Sequence, residues 1–250
     1  WPGRDGDSAW VIRAPASGLH QVSFFQKVVS MPVDLEEEKR AAFFGRYLHH
    51  ADALLAKAAA AELSSVSYGA LVAMRERLDA AKVRAALHDP AAGDRRALWY
   101  TLLGVCGDEA DAVAIGETMA SMWQTKGWKN LPALITAYLE LRGEAAVDEV
   151  ERLYFRDRGR TLPEVEAAIV ALRVHGDAEG AVSRERAVAS FRTFFEDREP
   201  LVFLIVPDLA RWEDWESRGR LVALAARRGD EMREIRERVA EYLAVCPEGG

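Results

Sequence analysis

The feature that most constrains this chain is a unit that returns: an apolar run with helical spacing, a Gly-acid pair, and a second run with helical spacing. One copy, ALWYTLLGVCGDEADAVAIGETM, starts at Ala97, the next, LPALITAYLELRGEAAVDEVERLYF, at Leu131, and another, PEVEAAIVALRVHGDAEGAV, at Pro163. Their Gly-acid pairs are Gly107-Asp108, Gly143-Glu144 and Gly176-Asp177, spaced 36 and 33 residues apart. A fixed period in this range marks stacked helix pairs rather than one globular core. The expected fold is therefore all-α, an α-solenoid of antiparallel helix pairs.

The unit has a physical rationale. Leu131, Leu134, Ile135, Tyr138, Leu139 and Leu141 recur mostly at three- and four-residue steps, forming one broad stripe that only packing removes from water. Gly143 follows where a left-handed residue closes a last turn, and Glu144 stands where an acid complements the next helix's amides. The same period places a fourth turn near residue 212, where the chain has Arg211-Trp-Glu-Asp-Trp215 instead of Gly-acid. Pro207 is expected to kink or interrupt the helix over 201–211, a second helix to run from Trp215 to Arg228, and a charged helix from Glu231 to Val245 to cap the array.

The N-terminal part reads differently. Residues 1–33 are expected to form an irregular arm, loose to Gly18 and then a short extended segment over Val22–Val33. Residues 34–247 are read as a single helical domain: a helix pair over 34–94, then the repeats over 95–247. Asp34 and Glu36–Glu38 open a long Ala-rich helix to Glu62, and a second helix runs from Tyr68 to His88 before Asp89-Pro90.

Charge and composition exclude some function classes. Thirty-three basic against 40 acidic residues give a formal charge of −7, which disfavours a global field for nucleic acid or an anionic membrane. Apolar runs such as Leu201–Val206 are far short of the roughly 20 residues that span a bilayer, so no membrane span is expected. The chain begins at Trp1, which leaves two readings of compartment: export to the periplasm after loss of an upstream segment, or a cytoplasmic location. Cys106 and Cys246 fall on elements too far apart for a disulfide and are read as free thiols, Cys106 as a small buried hydrophobe.

The chemistry-bearing patterns are few. His49-His50 with Asp52 puts imidazoles on adjacent helix positions, about 100 degrees apart, which suits helix-surface residues better than a metal site. The chain lacks G-x-G-x-x-G, G-x-x-x-x-G-K-[ST], G-x-S-x-G, H-E-x-x-H and C-x-x-C. No catalytic, cofactor-binding or metal-binding residue is assigned, and no cofactor is expected. Trp212 shares a stripe with Ile205 and Leu209 and is read as core. Arg211 and Trp215, residue types enriched in binding hot spots, are the candidate protein-binding residues.

The spacing and Gly-acid turns resemble HEAT-type helical repeats. The run RERA from Arg184, followed by IVPDLARWEDW from Ile205 to Trp215, resembles a group of uncharacterised bacterial HEAT-like repeat proteins, over Arg95 to Pro247. That resemblance implies a scaffold fold and export from the cytoplasm. It supplies no reaction, ligand or catalytic residue. The expected function is protein–protein interaction or scaffolding, with another protein as partner and no nucleic acid. Two alternatives remain open: a nucleic-acid-binding HEAT-like protein, and an enzyme whose site lies on a concave face.

Overall fold

A computed structural model describes residues 18–89, 93, 95–125, 128–178, 180–229 and 232–247. Most of the arm expected over 1–18 lies outside the described residues. The fold is all-α, with no strand among the described residues and no helix long and apolar enough to cross a membrane. The chain divides into two compact units, the first ending at Arg77 and the second beginning at Leu78. This division does not coincide with the expected boundaries at 33 and 94.

The first unit contains α1 (Leu19–Val29), α2 (Glu37–Gly45), α3 (Ala53–Leu63), α4 (Tyr68–Val72) and a 3-10 turn over Arg75–Arg77. Helix α1 replaces the expected extended segment. Gln21, Phe24 and Phe25 are buried at i, i+3 and i+4, a helical stripe that the β-branched valines around it obscure. Phe24 packs edge-on against Tyr47 at 4.7 Å and against Phe44 at 6.1 Å. The single Ala-rich helix expected to Glu62 is two helices, because Asp52 caps α3: its Oδ1 accepts the Leu54 N–H at 2.9 Å. The helix expected over 68–88 is also broken. After α4 and the 3-10 turn, Asp79 starts a new helix by accepting the Ala81 and Lys82 N–H groups at 3.1 and 3.2 Å.

That helix, α5 (Ala80–His88), opens the second unit, followed by α6 (Arg96–Cys106), α7 (Glu109–Thr125) and α8 (Leu131–Arg142). Next come α9 (Val147–Val150), a π-helical turn over Glu151–Arg156, α10 (Leu162–Ala178), α11 (Arg184–Arg192) and α12 (Phe194–Asp197). A 3-10 segment over Glu199–Leu204, α13 (Val206–Arg211), a 3-10 turn over Trp215–Ser217, α14 (Arg218–Ala225) and α15 (Arg233–Val245) complete it. Helix α6 packs on α8 and α8 on α10, while α7 covers α8 and α15 closes over α13 and α14.

The core sits at α8. Every residue from Leu134 to Glu140 is buried, a span of nearly two turns, so this helix is enclosed on all sides and not on one stripe. Enclosure depends on close approach. A Cβ on Gly104 of α6 would lie 2.6 Å from the Ala137 Cα, so the two backbones meet with only hydrogen between them.

The Gly-acid pairs do three different things. Gly107 ends α6, its N–H donating to Leu103 O at 2.7 Å, and Asp108 caps α7 through the Ala110 N–H at 2.9 Å. Gly143 has a positive φ of 64, which suits glycine, but its ψ of −157 is extended, so it is not the left-handed helical residue expected to close the turn. Gly176-Asp177 is not a turn: α10 continues through Ala178. Gly176 instead leaves a notch in α10, where a Cβ would come 2.7 Å from the Trp212 indole. Pro207 does not kink a helix. It lies in the first turn of α13, where no amide partner is required of it, and the residues before it wind as 3-10 helix. The helix expected from Trp215 to Arg228 begins as 3-10 and ends at Ala225.

The α6–α8 contact yields a paired test. Gly104→Ala should lower thermal stability by about 1–3 kcal/mol through overpacking against backbone. Gly69→Ala, at a helical site where a Cβ meets nothing within 4 Å, should raise it by about 0.4–1 kcal/mol.

Candidate interaction surface around Arg211 and Trp215

The rebuilt fourth turn closes α13 by hydrogen bonds alone. Asp214 N–H donates to Leu209 O at 2.8 Å and Glu213 N–H to Ala210 O at 3.1 Å, the paired bonds of a Schellman ending. Such an ending needs a left-handed residue, and Glu213 supplies it with φ 58, the lone non-glycine with positive φ among the described residues. Glu213-Asp214 thus occupies the place of Gly-acid, without the glycine.

Trp212 is core, as its stripe predicts. It is 8% exposed, stacks on Phe191 with centroids 5.5 Å apart, and donates from Nε1 to Asp177 Oδ1 at 2.8 Å. Arg211 is held by two carboxylates, Asp208 at 2.8 Å and Asp177 at 3.0 Å, and keeps 48% of its side chain exposed. Asp208, nearly fully buried, is also gripped by the Arg173 fork, with both N–O distances 2.7 Å. That bidentate pairing holds the Arg173 guanidinium above its ordinary pKa.

Trp215 has different neighbours. It is half-buried, and its ring meets Tyr242 of α15 edge-on at 5.3 Å. The Tyr242 hydroxyl donates to Asp214 O at 2.6 Å, and the buried Asp214 carboxylate accepts from Ser217 Oγ at 2.5 Å and from Arg192 Nε at 3.2 Å. The structure therefore does not gather Arg211 and Trp215 into one cluster: the first is tied to α10, the second to α15. Sequence reading missed the anchors Asp177, Asp208 and Asp214. Asp177 and Asp208 stand 35 residues from their partners Trp212 and Arg173, close to the spacing of the Gly-acid pairs, while Asp214 stands 22 from Arg192 and had no such signal.

The other singled-out residues have structural partners. His50 Nδ1 accepts the Asp52 N–H at 3.0 Å, so that lone pair is occupied. No group of three or more His, Cys, Asp or Glu among the described residues could hold a metal ion. Cys106 and Cys246 are free thiols; Cys106 is half-buried, not the fully buried hydrophobe expected, and that burial pushes its thiol up to about 11. His175 is fully buried where α10 meets α8, its Nε2 3.1 Å from Thr136 O and its Nδ1 3.6 Å from Glu140 Oε2.

In comparisons with family models, curated proteins and solved structures, none matches this chain.

Two measurements test these assignments. Glu213→Gly relieves a left-handed side chain and should raise stability by about 0.5–1 kcal/mol net of the entropy glycine adds to the unfolded chain. Burial holds the His175 imidazole below its ordinary 6.5, against the opposing pull of Thr136 O and Glu140. The unfolded chain then takes up a proton before the folded one, so this contribution is complete above pH 6.5 and declines as pH falls below it. Urea midpoints should fall between about pH 7 and 5.5, and His175→Gln should flatten that slope.

Proposed function

We propose that residues 78–247 are an α-solenoid-like stack of helix pairs, of HEAT type, that serves as a protein-interaction scaffold. The observation that carries this reading is a set of polar rungs between successive pairs at nearly constant sequence separation. Arg186 pairs with Glu151 at a separation of 35, Arg173 with Asp208 at 35, and Trp212 with Asp177 at 35. The Ser183 N–H reaches Glu144 at a separation of 39. The bonds at a separation of 35 fall at two places, between the π-helical turn and α11 and between α10 and the end of α13, and contacts about one period apart in sequence suit one-dimensional stacking, in which each repeat contacts only its neighbours.

In such an array the arginines and carboxylates hold the layers together, and recognition falls to the faces that the layers present. Arg211 and Trp215, each partly exposed, are the contact residues of this reading, and the partner is another protein. The test is quantitative affinity capture from the cells that make the chain, comparing the parent with Arg211→Ala and Trp215→Ala. A near-stoichiometric partner, reduced about tenfold or more by either variant at matched folded fraction, is expected from the loss of one hot spot of ~1.4 kcal/mol. Capture unchanged in both variants removes these residues from the interface. The lack of any stoichiometric partner removes the scaffold reading.

A further inference from the structure

The first unit carries an imidazole–carboxylate pair. His20 is the second residue of α1, and its Nε2 lies 3.1 Å from Asp52 Oδ2. Asp52 is held in place from several sides. Gln21 Nε2 donates to Oδ2 at 2.5 Å, and the Leu54 N–H donates to Oδ1 at 2.9 Å. These bonds, that from Gln21 foremost, hold the Asp52 carboxyl at about 2, so it is an ionised acceptor at neutral pH.

An ionised carboxylate can only accept, so the proton on a neutral His20 ring sits on Nε2 and the lone pair on Nδ1. The His20 side chain is 58% exposed, and the Cε1–Nδ1 edge of its ring turns over Gly18. A Cβ on Gly18 would come 3.1 Å from Cε1 and 3.4 Å from Nδ1, and Gly18 has φ 133, a conformation that excludes most side chains. Room beside Nδ1 is thus kept by the backbone itself. The neighbouring imidazole of His50, with ring centroids 5.9 Å away, has its own Nδ1 occupied by the Asp52 N–H, so it does not share this arrangement.

We propose that His20 is a phosphoryl-accepting residue, its Nδ1 taking the phosphoryl group from an N–P donor of the phosphoramidate class, with Asp52 as the positioning residue. In the transfer, the Nδ1 lone pair forms the new N–P bond while the donor's P–N bond breaks. The donor nitrogen, already protonated in the zwitterion, leaves as ammonia, and Nε2 keeps its proton. The ring becomes a phosphorylated imidazolium, and the Asp52 carboxylate faces the positive charge that develops on it. Phosphoryl transfer of this kind asks the protein chiefly for position and charge stabilisation, which the pair supplies.

The test is incubation of the full chain with potassium phosphoramidate, with site-resolved mass spectrometry of acid-labile phosphoryl groups. His88, also exposed, serves as the internal reference. His20 should be labelled at least about tenfold faster than His88, the ratio that ~1.4 kcal/mol off the barrier gives. Asp52→Asn keeps an N-cap side chain on α3, and should bring the His20 rate down to that of His88 while leaving His88 unchanged. The far-UV circular dichroism and melting temperature of Asp52→Asn should match those of the parent, which separates the loss of the Asp52 charge from a general loss of structure. Labelling of His20 at the His88 rate in the parent chain, or a His20 rate unaffected by Asp52→Asn, overturns the proposal.

Discussion

The contact on which the second unit depends is the meeting of α6 and α8 at Gly104 and Ala137. Two helices approach this closely only where one of them has no Cβ, and here a methyl on Gly104 would intrude on the Ala137 backbone. With the seam closed, Leu134, Ile135, Ala137 and Leu139 are at 0% exposure, and α8 is covered by α6, α7 and α10. Burial of this kind is the main favourable term in folding, about 25 cal/mol per Å² of apolar surface. Its enclosure also raises the stakes for polar groups on α8. Glu140 and Thr136 are buried with it, and both meet His175.

Around that core, helices are joined by ion pairs of two kinds. Exposed ion pairs contribute about 0–1 kcal/mol each, so Arg220 with Glu196 or Arg227 with Glu199 adds little. The pairs whose carboxylate is buried behave differently. Glu151 lies between Arg156 and Arg186 at 2.8 Å from each, and Asp208 is held by both Arg173 and Arg211. Each of these carboxylates is buried but keeps a second arginine when one is removed, and the arginines are partly exposed, so losing one costs less than the about 3–5 kcal/mol of a fully buried pair. Arg198 plays a related part: its Nε donates to Phe155 O at 2.7 Å and its Nη2 to Tyr154 O at 3.2 Å, satisfying carbonyls at the end of the π-helical turn.

Helical content, the apolar positions that became core, a positive φ at Gly143, and Trp212 as a buried ring were all legible from spacing alone, because helix periodicity and glycine's freedom of φ are local properties. The breaks in the long helices were less so. Asp52 and Asp79 cap helices in the middle of what reads as continuous helical pattern, and an aspartate competes with helix continuation only where its side chain can reach the next turn's amides. Pro207 was visible, but whether it sits in a helix interior or a first turn depends on where the preceding 3-10 segment ends.

The sequence by itself determined that this chain is helical and which side chains leave water. These follow from apolar period and turn chemistry within a few residues of each position. Tertiary structure decided the rest. Gly176 has the same neighbour types as the turn glycines, yet it lies inside α10, because the Trp212 indole, 36 residues further on, occupies the space its missing Cβ leaves. Likewise Asp177, Asp208 and Asp214 read as solvated acids until α10, α11 and α13 bring arginines or an indole N–H within hydrogen-bond distance. A side chain's partner one repeat away is a property of packing, and no local pattern encodes it.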